Sequence, residues 1–317
     1  MPADPATDTG GDTPAGDPGV IGGLTLIDAA TIADEPAPDT FYRHRVQLFP
    51  ALREMWRRRE IIFALAERDI RASYKQAALG MFWALISPVL QVILLTLIFS
   101  HVKSLKVPHV PYILYSFVGL LCWGFFSGSL QQGGNSMIAN LLLLQKTHFP
   151  RECFPLSQML EQSLYTAIGL LPLTILFVVN GFVPKAGVVW VPLFIVIEVL
   201  FTTGLTLMMS ALVVYLRDLL QVTSIILQLG LFATPIIWPL SKLAKVSFGP
   251  FHHVDLRPYY SVFNPLGPVI DNIRRTALQG LSPDWPLLAV ATISASLYFV
   301  IGYRLFKRLE VNFADIS

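Results

Sequence analysis

Six runs of apolar residues, roughly 80–101, 112–131, 157–179, 188–215, 219–240 and 285–306, limit what this chain can fold into. Each is long enough to cross about 30 Å of hydrocarbon as a helix. Lipid offers no partner to an open backbone amide, so such runs must close their hydrogen bonds within themselves. The third run is the most polar, with Gln158, Glu161 and Gln162 in its first turns. Only Leu216, Arg217 and Asp218 separate the fourth from the fifth, which predicts a tight helical hairpin with a charged tip. The expected fold class is an all-α integral membrane protein with six transmembrane helices in each subunit.

Composition supports this. The 317 residues are 54% hydrophobic and 14% charged, with mean hydropathy +0.58, whereas soluble domains carry about a quarter charged residues. Eight of the 21 acids precede residue 41, in a stretch without Lys or Arg. The rest of the chain then holds 13 acids against 23 Lys and Arg, a net of +10. A basic membrane protein shows its charge to anionic lipid or substrate, not to nucleic acid. Residues 1–40 hold few large apolar side chains and are expected to be a disordered acidic tail. No signal peptide is expected, and Cys122 and Cys153 do not suggest a disulfide framework.

Lys and Arg in the connections orient the chain, because cytoplasmic segments carry the excess. Placing 41–79 inside puts 15 of 23 there, including Lys146, Arg151, Arg217, Arg304, Lys307 and Arg308, with both termini cytoplasmic. Within 48–71, Phe49, Leu52, Trp56, Phe63, Ala66 and Ile70 recur at helical spacing opposite Arg53, Arg57, Arg58 and Arg68. That pattern predicts an amphipathic interface helix, broken near Arg59, in the headgroup layer; a purely topological basic flank is the plainer alternative.

Between the fifth and sixth runs lies an outer loop, 241–284, whose prolines forbid one continuous helix. Leu266, Val269, Ile270, Ile273 and Ala277 keep helical spacing and predict a short re-entrant or surface helix. Irregular backbone at membrane depth must be covered by protein or line a cavity, so this loop is a candidate outer gate.

No G-x-x-x-x-G-K-S/T is present, so the chain has no ordinary cradle for ATP phosphates. No metal-ligand spacing occurs; adjacent His252 and His253 read as exposed loop residues. No nucleophile elbow or carboxylate pair marks an enzyme. Glu198, inside the fourth run, is a costly group in lipid; it reads either as a proton site or as a packing hydrogen bond. Aromatics such as Phe82, Trp83, Tyr115, Trp123 and Phe126 read singly as an interfacial belt, and together as flat apolar faces along which a saccharide slides.

Several stretches together resemble the permease subunits of bacterial ABC type-2 polysaccharide exporters, which move O-antigen, capsule, teichoic acid and other cell-wall glycans. RDIRASYKQAALGMFWALISPVLQ (68–91) resembles the entry to their first span. NSMIANLLLLQKTHFPRECFPLSQ (135–158) resembles their second connection, with a core of Lys146, Phe149, Pro150, Arg151, Glu152 and Pro155. YLRDLLQV, FNPLGPVIDNIRR and RLEVNFADIS follow in family order. The resemblance covers about 41–317 and implies a homodimer working with two copies of a separate ATPase subunit. That subunit binds ATP and Mg, so this chain is a transport subunit with no cofactor of its own.

It also implies a domain plan: interface region 41–79, permease domain 80–306 with coupling region 136–156 and gate loop 241–284, and cytoplasmic tail 307–317. Lys146, His148, Phe149, Pro150, Arg151 and Glu152 would press on the ATPase, with Pro150 breaking the helix. The interface helix with Trp56, Arg57 and Phe63 would lie beside it. Arg68, Arg71, Tyr74 and Lys75 would meet the pyrophosphate of a polyprenyl-linked polysaccharide, although lipid headgroups explain any one of them as well. Phe82, Trp83, Tyr115, Trp123 and Phe126 would line the channel. Tyr259, Tyr260, Phe263, Asn264, Asp271 and Arg274 would form the outer gate, and Arg217 with Asp218 the cytoplasmic hairpin. Rival readings are a type-2 permease for a small drug or lipid, a proton-coupled transporter using Glu198, and a glycosyltransferase with a loop carboxylate among Asp255, Asp271 and Asp284.

Overall fold

A computed structural model describes residues 57–74, 82–102, 107–146, 150–248 and 251–310. Helix α1 (Arg59–Tyr74) starts after a turn at Arg58, where a break is expected, and carries Glu60 in its first turn and Arg71 in its last. Both charges complement the helix dipole. Ala66 is buried, whereas Phe63 is 59% exposed. Trp56 and the start of the expected helix lie outside the described residues.

The apolar runs become α2 (Phe82–Phe99), α3 (Tyr112–Ala139), α5 (Cys153–Val179), α6 (Val191–Tyr215), α7 (Leu219–Ala233) and α10 (Trp285–Glu310). Four of these, α3, α5, α6 with its preceding 3-10 turn, and α10, are long and apolar enough to cross a membrane. Helices α2 and α7 are shorter, at 18 and 15 residues. α7 stops seven residues before its apolar run does. Thr234 precedes Pro235 and is driven to extended backbone (φ −78°, ψ 144°), which ends the helix.

α3 is the central element: 19 of its 28 residues are buried. A helix apolar on all sides belongs in such a place. α5 and α6 pack on α3, and α10 packs on α6. The α6–α10 crossing is unusually close, because a Cβ at Gly302 would fall 1.9 Å from the Gly204 carbonyl oxygen. Small residues allow such approach between helices in lipid. α2 and α7 leave Leu94, Leu97, Ile226, Leu229 and Phe232 exposed, an apolar belt of the kind that faces lipid or another subunit.

After Pro150 the chain turns into α5, and a short α4 (Leu141–Lys146) precedes the break. Residues 216–218 form the exposed tip between α6 and α7, as expected. Past Pro235 come a 3-10 turn (Leu240–Lys245), an antiparallel pair β1 (Val246–Phe248) and β2 (Phe251–Val254), α8 (Arg257–Phe263), α9 (Leu266–Ile273) and a π turn (Arg274–Leu278). The small hairpin departs from an all-helical expectation. α9 buries Leu266, Val269, Ile270 and Ile273, the predicted apolar spacing.

Candidate functional site

The site has two ends, one holding the Arg151 turn and the other the 234–284 loop. At the first end, Glu152 caps the turn into α5 and is 3% exposed. Its carboxylate pairs with Lys307 Nζ, and Lys307 also reaches Glu310 Oε2 at 2.9 Å. Arg151 donates through Nη1 to the Glu310 carbonyl. Tyr215, just before the hairpin tip, donates from Oη to the Leu309 carbonyl at 3.0 Å. Beneath these contacts Met137, Phe154, Leu207, Ala211, Tyr303 and Phe306 form an apolar cluster with Leu143 and Leu144 of α4 packed against it. The turn after Pro150 is thus fixed to α10, which this cluster packs against α3 and α6. Glu152, expected to press on the ATPase, instead faces inward, because Lys307 on α10 lies within reach of it.

His148 and Phe149 lie outside the described residues, and of Lys146 only the backbone ending α4 is described. Arg217 and Asp218 sit exposed beside this end.

α1, α3 and α5 enclose a polar cleft of about 420 Å³ next to the turn. Arg68 donates from Nη2 to Asn140 Oδ1 (2.8 Å) and from Nε to Asp69 Oδ1 (2.7 Å). Gln158 Nε2 donates to Asp69 Oδ2 at 2.7 Å, and Tyr165 Oη to Glu161 Oε1 at 2.5 Å. Gln132, Asn135 and Gln162 complete the walls. One guanidinium against two carboxylates makes the cleft polar without making it basic, a lining suited to hydroxyl-rich ligands. Arg71, outside the cleft, pairs with Glu67 one turn away. Tyr74 ends α1, and Lys75 lies outside the described residues. The amides of this cleft carried a readable signal: Gln132, Asn135, Asn140, Gln158 and Gln162 recur at helical spacing on both sides of the break.

At the other end, four side chains from three elements clamp the turn at 234–237. Arg274 donates from Nη2 to the Ile236 carbonyl (2.7 Å) and from Nη1 to that of Pro235. Tyr112 Oη donates to the Ile237 carbonyl (3.1 Å), and Tyr260 Oη to that of Ala233 (3.1 Å). Asn264 Nδ2 donates to Thr234 Oγ1 at 2.9 Å and to Tyr260 Oη at 2.8 Å. Arg274, read from sequence as a loop residue, is fully buried, since α9 folds back onto α3 and carries it inward. Asp271 is partly buried on α9, while Tyr259 and Phe263 are largely exposed. Asp255 accepts from Arg257 Nη2 at 2.7 Å, and that hydrogen bond holds its carboxyl below the usual range.

Tyr115, Trp123 and Phe126 are buried within the subunit; Phe126 stacks on Phe201 with centroids 5.4 Å apart. The structure therefore places them between α3 and its neighbours rather than on an open wall. Phe82 and Trp83 open α2, whose first side chains are outside the described set. Among the described residues no cluster of metal-ligating side chains occurs.

The family profile described as ABC-2 type transporter matches residues 60–261. Over 265 residues the chain is 29% identical to an O-antigen export system permease protein RfbA of Myxococcus xanthus, covering 83% of this chain and 98% of that one. A protein of the same name from Klebsiella pneumoniae is 26% identical, covering 81% and 95%. The polysialic acid transport protein KpsM of Escherichia coli is 21% identical, covering 78% and 92%.

Proposed function

The chain belongs to the ABC-2 type transporter family, and on that premise we propose that it is the channel-forming permease of an ATP-driven exporter of lipid-linked polysaccharide, of the O-antigen class. Six helices in each of two copies span the inner membrane, with both termini in the cytoplasm, and ATP and Mg are held by a separate ATPase subunit. That ATPase presses on the segment from Lys146 to Glu152. The substrate's sugars are read in the cleft between α1, α3 and α5, and its pyrophosphate meets Arg68, Arg71 and Lys75. The polymer then leaves past the 234–284 loop.

One observation carries this reading: the Arg151–Glu152 turn is anchored on α10 through Lys307 and the Glu310 carbonyl. A force on an ordinary polar turn would be absorbed by the loop. A force here moves packed helices, and it works only through contacts that differ between nucleotide states. Similarity along nearly the whole length of two O-antigen permeases supports the substrate class.

The test is isolation of the chain from its native membrane, followed by identification of what accompanies it. A stoichiometric partner carrying G-x-x-x-x-G-K-S/T, whose ATPase activity changes on binding, is expected. In a Lys146→Glu variant, which keeps the Arg151 anchor, that partner should dissociate or uncouple while the permease stays folded. A chain that purifies alone and transports in response to a proton gradient would replace this reading with one centred on Glu198.

A further inference from the structure

Away from both ends, α3, α5, α6 and the π turn enclose a cavity of about 370 Å³. Its walls are almost wholly apolar, with Leu121, Phe125, Leu173, Ile195 and Leu278 among them. Ser163 and Thr166 also line it, but their hydroxyls are committed to carbonyls of their own helix, Met159 at 2.9 Å and Gln162 at 2.9 Å. The remaining polar groups are the Glu198 carboxyl and the Cys122 thiol beside it. Glu198 is 4% exposed, and its Oε1 has no hydrogen-bond partner among the described residues. A thiol is a weak donor and leaves that oxygen unserved. Leu170, Val188, Ile195 and Val199 line the cavity and are exposed, so it opens sideways on the subunit surface.

We infer that this cavity is a binding site for a compact lipophilic amine whose nitrogen is held by Glu198. An unpaired carboxyl in an apolar wall needs a donor, and a carboxylate at membrane depth needs a positive charge as well. An acyl chain supplies neither, and a hydroxyl supplies only the donor. An ammonium group supplies both, through a charge-assisted hydrogen bond stronger than a neutral one. The volume lies near the lower end of the roughly 300–1,000 Å³ typical of small-molecule sites, which excludes a glycan and admits a cage-sized amine. Ile273, Ala277 and Leu278 belong to α9 and the π turn that also carry Arg274. An occupant therefore bears directly on the segment that clamps 234–237.

The probe is tritiated adamantan-1-amine, measured for saturable binding to the full-length chain in phospholipid nanodiscs, with adamantan-1-ol as the isosteric competitor. One site per chain is expected. Affinity should fall at least tenfold in Glu198→Gln and be largely kept in Glu198→Asp, and the alcohol should compete at least tenfold more weakly than unlabelled amine. Absence of saturable binding, equal competition by the alcohol, or an affinity within twofold in a folded Glu198→Gln chain would each overturn the assignment. Should that variant not fold, the amine-versus-alcohol comparison in the unaltered chain decides.

Discussion

The guanidinium carbon of Arg274 lies 3.8 Å from the centre of the Tyr115 ring, and the same group donates to the carbonyls of Pro235 and Ile236. A buried cation is thereby held by a π face and by two backbone oxygens that no helix satisfies. Desolvated cation–π contacts are worth about 2 kcal/mol, and hydrogen bonds from charged groups about 1.5–3 kcal/mol. Arg274→Ala should therefore cost roughly 3 kcal/mol or more, read as a fall of several degrees in apparent Tm. Gly119→Ala should act on the same group, because its new Cβ would fall 2.2 Å from Arg274 Nη2. The two losses should be clearly less than additive; full additivity would show that Gly119 acts elsewhere.

Glu152 and Lys307 invite a charge-exchange cycle. Glu152→Lys sets a buried cation against the half-buried Lys307, and Lys307→Glu adds a third carboxylate beside Glu152 and Glu310. The Glu152 side of the pair is buried and the Lys307 side half-buried, so the loss should stay below the about 3–5 kcal/mol of a fully buried pair, and each single reversal should still lower membrane yield and Tm. The double exchange should recover a good part of both. No recovery would mean that Glu310 and the Arg151 contact, not the pair itself, set the geometry.

Acid should loosen the 234–284 loop through Asp255. Its carboxyl is held below the usual range, first by the Arg257 hydrogen bond. A group depressed in the folded state contributes stability above its unfolded pKa of about 3.9, and that contribution is lost as pH falls through the folded value. Hydrogen exchange over 251–263 should therefore rise below about pH 4 in the unaltered chain. Asp255→Asn should show the raised exchange already at pH 7 and change little on acidification. A normal acid response in that variant would assign the effect to another carboxyl.

Where α6 crosses α10, Gly302→Ala would drive a methyl into the Gly204 carbonyl. Overpacking typically costs 1–3 kcal/mol, and two backbones have no rotamer with which to yield. The expected loss is at least about 2 kcal/mol, visible as lower yield and a lower Tm. Gly124→Ala is the control, since nothing lies within 4 Å of a Cβ there; equal effects at both sites would remove the crossing from the explanation.

Local rules made much of this legible. The helix break at Pro150, the exposed tip at Arg217 and Asp218, and the apolar face of α9 all follow from residues within one or two turns of each other. The polar cleft was half legible, since its amides recur at helical spacing, but their convergence depends on how α1 docks. Arg274 could not be placed, because its burial depends on α9 returning to α3 across some 150 residues of chain. Tyr115, Trp123 and Phe126 met a different obstacle. Over residues 112–130 helix α3 is apolar on every side, so periodicity offers no way there to tell a wall from a core.

Helix α10 joins the two ends of the molecule. Its 26 residues, at about 1.5 Å each, make a rod of roughly 39 Å. One tip is fastened at Lys307 and Glu310 to the Arg151–Glu152 turn. At the other, the Asp284 backbone N–H donates to Asn272 Oδ1 at 2.7 Å, and the Asp284 carboxylate lies 3.9 Å from Arg257. Under the proposed coupling, a push on the turn need not travel through side-chain rearrangements across the bilayer. It can arrive at the far loop as displacement of a stiff shaft, so the timing of the two ends would be set by geometry rather than by diffusion of a local change.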